Sequence, residues 1–258
     1  MNKKPRRPKI EVTQSLAAVF GFHAVESLIK YRVRHIAYLW AQQGRDDTRM
    51  QGLLETAHAA GVKIEIQPRE TLDKEAGGGV HQGIIAWVQP RQAGGESDLE
   101  RLLVESTTPP LLLVLDGVTD PHNLGACMRS AEAAGAAAVI VPKDKSAGLN
   151  ATVRKVACGA TETLPLIQVT NLARTLRSLA DYGVWIIGTA GEAEQLIYQT
   201  DLTRSVALVM GAEGRGMRRL TREVCNELVK LPMAGEVSSL NVSVASGVAL
   251  YEAVRQRL

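Results

Sequence analysis

Cysteine is scarce here and poorly placed to bond to itself. The three thiols, Cys127, Cys158 and Cys225, are odd in number and widely spaced, and no C-x-x-C pair occurs. That argues against a disulfide framework or a structural zinc centre and fits a reducing cytoplasm. No metal site is expected. Aromatic residues make up 4% of the chain, too few for a single-strand stacking platform. No apolar run approaches about 18 residues, and the charged start is unlike a secretory leader, so the expectation is a cytoplasmic protein with no membrane segment. Glycine-rich stretches lack the lysine that ends a phosphate loop and the G-x-G-x-x-G order of a dinucleotide fold. A nucleotide hydrolase and a dinucleotide oxidoreductase are therefore disfavoured, and no internal repeat is present.

What remains is a chain of 258 residues, 45% of them apolar, long enough for a substantial core and best divided into two domains. The net charge of +3 is modest, but Lys3, Lys4, Arg6, Arg7 and Lys9 crowd the beginning. Residues 1–18 are expected to be a flexible basic arm, either a phosphate contact or a solubilising tail.

Residues 19–90 pattern as a small α/β unit. Helices are expected at 23–31 and 49–60, strands at 34–40, around 62–66 and at 84–88, and a polar glycine-rich loop at 77–83. A Pro/Gly-rich stretch at 89–95 opens a linker placed at 91–108. Over 109–258, near-continuous apolar strands at 111–115, 136–141, 184–187, 206–210 and 228–231 alternate with helical stretches. The helices are expected at 124–134, 151–158, 172–181, 221–225 and 242–256. This is the pattern of a parallel sheet covered by helices on both faces. Ligands of such sheets bind beyond the carboxyl ends of the strands.

Three polar segments stand where apolar runs end. In the first, Asn123 is expected to cap a helix starting at Leu124, with Gly135 ending it. Arg129 lies well round that helix from the buried stripe, as a surface partner of Glu132 or as a substrate contact. His122 is a candidate base or a local turn residue. The second segment, Gly211-Ala212-Glu213-Gly214-Arg215-Gly216, sets a carboxylate inside a glycine cluster. That would oppose a polyphosphate but tolerate a cation such as a sulfonium. The third crowds Ser238, Ser239, Asn241 and Ser243 at the entry of a helix that needs only one cap. Its small residues, Ser243 to Ala249, would let another backbone or a second subunit approach. Arg32, Arg34 and His81 are candidate RNA contacts beside the default of solvated surface.

These segments resemble the three motifs of the SpoU/TrmH class of SPOUT methyltransferases. The first is Asn123-x-Gly125-Ala126-x-x-Arg129, the second Gly211-Ala212-Glu213-Gly214-x-Gly216-Met217. The third is Leu231-Pro232-Met233-x-Gly235-x-x-x-Ser239-Leu240-Asn241-Val242-Ser243-x-Ala245. Further stretches, 81–86, 116–123, 150–152 and 155–160, are similar to members that methylate the ribose 2'-hydroxyl of a guanosine in the P loop of 23S ribosomal RNA. The likeness runs from about Phe20 to the C-terminus, leaving the arm outside it.

The resemblance implies an α/β fold: a small RNA substrate-binding domain similar to a ribosomal-protein L30e-like fold, then a SPOUT domain whose parallel sheet carries a deep trefoil knot. It also implies a homodimer with composite sites and S-adenosylmethionine bound around Leu208, Met210, Gly211, Leu231, Met233 and Leu240. By the same analogy Arg129 contacts the acceptor hydroxyl and Asn123 orients it, while Glu213, Ser239 and Asn241 fix the ribose and the local backbone. A guanidinium offers donors and no acceptor, so charge stabilisation suits Arg129 better than a base role. The alternatives are a 2'-O-methyltransferase acting on tRNA and a non-catalytic rRNA-binding assembly factor. Retention of all five polar site residues disfavours the last.

Overall fold

The computed structural model describes residues 16–258, which divide into two units, one ending at Pro90 and one running from Arg91 to Leu258. The basic arm lies outside the described residues up to position 15. Its last two positions, Ala17 and Ala18, instead belong to a strand that the sequence pattern did not mark.

The first unit runs β1 (Ala17–Phe20), α1 (Phe22–Arg32), β2 (Ile36–Gln42), α2 (Thr48–Ala59), β3 (Ile64–Gln67), α3 (Arg69–Ala76) and β4 (Ile84–Val88). Its sheet has the order β1-β4-β2-β3, with β4 antiparallel to both neighbours and β2 parallel to β3. Phe22, Val25 and Leu28 of α1 and Met50 and Leu53 of α2 pack on Leu39, Ala86 and Val88 to make one core. The strand expected from position 34 begins at Ile36, because Val33–His35 continue the end of α1 as a 3-10 turn. Helix α3 escaped notice because its charged run carries only Leu72 and Ala76 inward.

The second unit opens inside the expected linker. Its first helix, α4 (Glu96–Glu105), places Leu99 in a core with Ile167 and Leu172, so 96–105 is structured chain of this unit. There follow β5 (Leu111–Asp116), α5 (Pro121–Ala133), β6 (Ala138–Pro142), α6 (Ala151–Ala157), α7 (Ala160–Thr163), β7 (Leu166–Val169), α8 (Leu172–Asp181) and β8 (Trp185–Thr189). The chain ends with β9 (Gln195–Leu196), β10 (Val206–Gly211), α9 (Arg219–Val224), β11 (Glu227–Lys230) and α10 (Val242–Arg257). Seven strands pair in the order β7-β6-β5-β10-β8-β11-β9, every pair parallel.

The continuous apolar run of β5 has a simple cause. Leu111, Leu113 and Leu115 enter the core beneath α5 and α10, whereas Leu112 and Val114 enter the opposite core beneath α8. A strand buried on both faces has no polar side to alternate with. The small face of α10 is also explained within the chain. Ser246 Oγ lies 3.6 Å from Cys127 Sγ of α5, and a methyl group on Gly247 would sit 3.8 Å from Ser130 Oγ. The backbone that approaches this helix is therefore α5.

An ion-pair clamp ties the start of this unit to α6 and α7. Arg154 Nη1 meets the buried Glu162 Oε1 at 2.6 Å, and Arg154 Nη2 donates to the Arg91 carbonyl at 2.7 Å. The Arg91 amide donates to Glu162 Oε2 at 3.1 Å. Removing one member of a buried pair strands the other. Glu162→Ala is expected to lower the unfolding free energy of this unit by about 3 kcal/mol or more in urea titration; a change within experimental error would show that the clamp holds nothing.

Candidate active site

The first polar segment is organised one turn earlier than its sequence suggests. Asp120, not Asn123, caps α5: its carboxylate accepts from the His122 amide at 2.9 Å, and Pro121 presets the first helical position. Asn123 is thereby released from capping and points its amide at other segments.

The second segment leaves β10 at Gly211 and folds back on itself. Ala212 and Gly216 exchange backbone hydrogen bonds of 3.2 and 2.8 Å. A Cβ on Gly211 would meet the Gly216 carbonyl carbon at 2.2 Å, so any side chain there would prevent this closure. The glycine is required by chain against chain. At the end of β5, the buried Asp116 anchors the returning loop: its Oδ2 accepts from the Arg218 amide at 2.8 Å and its Oδ1 lies 3.1 Å from Arg218 Nε.

The third segment ends in a true cap. Asn241 Oδ1 accepts from the Ser243 amide at 2.9 Å and from the Ser243 hydroxyl at 2.6 Å. Its Nδ2 donates to Asn123 Oδ1 at 2.9 Å and to Glu213 Oε1 at 2.6 Å. Glu213 Oε1 also accepts from the Val242 amide at 3.2 Å and from Asn123 Nδ2 at 3.4 Å. One carboxylate oxygen thus joins all three segments.

Beside this cluster, at the carboxyl ends of β8, β10 and β11, lies a cavity of about 700 Å³. Met210, Gly211, Leu231, Met233 and Leu240 line it, as do Glu213 and Ser239. Leu208 does not: it is fully buried in the core beneath α5 and α10. Asn123 and Arg129 are absent from the lining, and the expected orientation of Arg129 by Asn123 is not observed. Instead Arg129 is exposed and donates from Nη1 to Cys158 Sγ at 3.4 Å. Among the described residues it makes no ion pair with Glu132, which accepts from the Thr163 hydroxyl. His122 is exposed, and its recorded bond is through its backbone.

In the first unit, Arg34 is exposed in the 3-10 turn and Arg32 is half-buried in the last turn of α1. His81 contradicts its expected surface role. It is 6% exposed, and its Nδ1 accepts from the Gly83 amide at 3.0 Å, which leaves Nε2 as the donor to Asp73 at 2.8 Å. Both ring nitrogens are spent on holding the glycine-rich loop. The pattern also missed Thr189, Gly191 and Lys230 as cavity residues. Only the strand order, which sets β8 beside β10 and β11 beyond it, could have marked them.

The cavity suits a nucleoside-sized ligand. Its wall combines apolar side chains with bare backbone, since a Cβ on Gly191, Gly214 or Gly216 would touch nothing within 4 Å. Among the described residues no cluster of ligating side chains could hold a metal. Among them, too, no helix is long and apolar enough to cross a membrane.

A sheet, loops and polar cluster of this form define a class, and comparison with known proteins places the chain in it. The model of the SpoU rRNA Methylase family matches residues 110–251, so the chain belongs to that family. A second model, RNA 2'-O ribose methyltransferase substrate binding, matches 18–93. Among curated relatives, the 23S rRNA (guanosine-2'-O-)-methyltransferase RlmB of Pasteurella multocida is 60% identical over 93% of this chain and 98% of its own. That of Pseudomonas putida is 59% identical over 94% and 97%. The solved structure of the SpoU methyltransferase AviRb from Streptomyces viridochromogenes, in complex with AdoMet, has a TM-score of 0.70 at 24% identity, covering 94% of this chain and 91% of that one.

The three thiols separate by environment. Burial pushes Cys127 up to about 11, partly offset by the Ser246 hydroxyl, and burial likewise raises Cys225 to about 11 against the opposing charge of Arg222. Cys158 is exposed beside Arg129. Only a thiolate is alkylated at an appreciable rate. Iodoacetamide at about pH 8 is expected to modify native Cys158 while sparing the other two, as read by peptide mass spectrometry; equal labelling of all three would refute these environments.

Proposed function

We propose that the protein transfers a methyl group from S-adenosylmethionine to the ribose 2'-hydroxyl of a guanosine in 23S ribosomal RNA, in the P loop of the peptidyl-transferase region. The observation that carries this reading is the Asn123–Glu213–Asn241 cluster at the mouth of a nucleoside-sized cavity. The names and near-full coverage of the curated relatives supply the substrate.

S-adenosylmethionine would supply an activated methyl group on a positively charged sulfur. Met210, Leu231, Met233 and Leu240 offer it apolar walls, and the open backbone at Gly191 and Gly214 offers hydrogen bonds. The acceptor is the harder partner, because an alcohol is nearly all protonated at neutral pH. The protein's task is to position that hydroxyl and stabilise the charge that develops on its oxygen. Glu213, held by donors from two segments, sets an anionic group at the cavity edge. Ser239, which lines the same cavity, and Asn241 hold the ribose and the turn around it. Arg129 stabilises charge at the acceptor oxygen, with water or phosphate relaying the proton. Since Arg129 lies outside the cavity wall of its own copy, the reading includes a homodimer in which a second copy completes the site. Exposed Val244 and Tyr251 on α10 support such a contact.

The first unit is proposed to hold RNA through Arg32 and Arg34 in an L30e-like fold, which its match to a substrate-binding model supports. The second, Arg91–Leu258, is proposed to carry a trefoil knot. Supporting this, the chain passes from β11 near one edge of the sheet back to α5, where α10 packs. Its three free thiols fit residence in the cytoplasm.

The test is methyl transfer from labelled donor to 23S rRNA lacking the modification, with the site mapped by ribose-methylation sequencing. A single guanosine in the P loop is expected; labelling of tRNA instead, or of nothing, would reject the reading. Arg129→Ala should lower single-turnover methyl transfer about tenfold or more, with RNA affinity changed only a few-fold. Near-normal turnover would remove Arg129 from the chemistry.

A further inference from the structure

Cations of the second unit are distributed unevenly. Most meet a carboxylate or a carbonyl: Arg101 with Asp98, Arg154 with Glu162, Arg204 with Asp201, Arg219 with Glu223 and Arg255 with Glu252. Arg129 aside, which donates to Cys158 Sγ, Lys143, Lys145, Arg177, Arg215 and Lys230 have no such partner among the described residues. Of these, only Arg177 lies on a helix, α8. The other four stand at the carboxyl-terminal rim of the sheet, after β6, after β10 and at the end of β11.

Two of the rim loops converge on one point. A methyl group on Gly117, just past β5, would lie 3.8 Å from Ala212 Cβ, 3.8 Å from Arg218 Nη2 and 3.9 Å from the Lys145 carbonyl oxygen. The loop carrying Lys143 and Lys145 and the loop carrying Glu213 and Arg215 therefore both flank Gly117, at the end of β5. The first of these loops is firmly held. The Ala147 amide and the Ser146 hydroxyl both donate to the Val118 carbonyl, at 2.9 and 3.2 Å. Within it Lys145 takes a left-handed φ of 58°, a conformation that glycine would adopt without cost. Backbone strain of this kind clusters at ligand-binding positions. Of the anionic groups nearby, Asp116 is paired with Arg218, Glu213 faces its three donors, and exposed Asp144 makes no ion pair with either lysine among the described residues.

We infer that Lys143, Lys145 and Arg215 form a phosphate-binding track that holds the RNA backbone flanking the target nucleotide, across the rim from β6 to the cavity mouth. The span from β6 to β10 is two strand spacings, roughly 10 Å. Exposed cations on a pinned frame grip phosphates without reading bases, so the track fixes register and leaves base choice elsewhere. The inference rests on the proposed RNA methylation and adds a subsite to it.

The experiment measures binding and methylation of transcribed 23S rRNA by the full chain across a salt series. For the Lys143→Gln, Lys145→Gln, Arg215→Gln triple variant, the slope of log affinity against log salt should fall by roughly 2. KM for RNA should rise about tenfold, with saturating kcat and donor affinity unchanged. Arginine at both lysine positions should restore the wild-type slope, and Arg177→Gln should leave it untouched. An unchanged slope in the triple variant, or an equal loss in Arg177→Gln, would overturn the track. If the wild type methylated no RNA, the functional reading would fall, while the binding slopes would still decide the track.

Discussion

One carboxylate oxygen holds the site together. Glu213 Oε1 accepts from the Asn241 amide, the Val242 backbone and, more weakly, the Asn123 amide. The carboxylate stands on the loop after β10, and its donors come from the entry of α10 and the first turn of α5. Hydrogen bonds to an ionised acceptor are stronger than neutral ones, and each such contact contributes about 1 kcal/mol or more. Without the carboxylate, several polar groups lose their partner and the loop loses its registration with both helices.

The fold explains why this convergence is available. Strand β10 lies between β5 and β8, so the loops leaving β5 and β10 emerge as neighbours although 95 positions separate Asp116 from Gly211. Asp116 fixes the far end of the glycine loop, and Asp120 takes over capping so that Asn123 is free to reach across. Asn241 caps α10 and reaches both other segments, but the capping of α5 falls to Asp120, which is why more polar residues are needed here than helix capping alone requires.

The elements that were legible in the sequence are those whose burial leaves one clear pattern. The strands β5 and β10 are uniformly apolar because both faces are covered, and α8 has its apolar residues on one face. Those that were not legible are short or mostly solvated: β7 has four residues and α3 shows a charged surface. The linker expectation failed because Gly94 and Gly95, which look like a hinge, lie beside a parallel bridge to Ile167 and at the cap of α4. Among site residues, Glu213 and Asn241 announced themselves as polar excess over structural need. His81 looked the same in one dimension, yet its ring is consumed by Asp73 and the Gly83 amide. Lys145 carries no sequence signal at all, since its significance comes from a backbone angle.

The central claim is that Asn123 and Asn241 act as one unit, bonded to each other and to Glu213, although 118 positions separate them. A double-mutant cycle on Asn123→Ala and Asn241→Ala, read by single-turnover methyl transfer, tests it most directly. Coupling of about 1 kcal/mol or more is expected, the double variant being little worse than the poorer single one. Strictly additive losses would contradict the account.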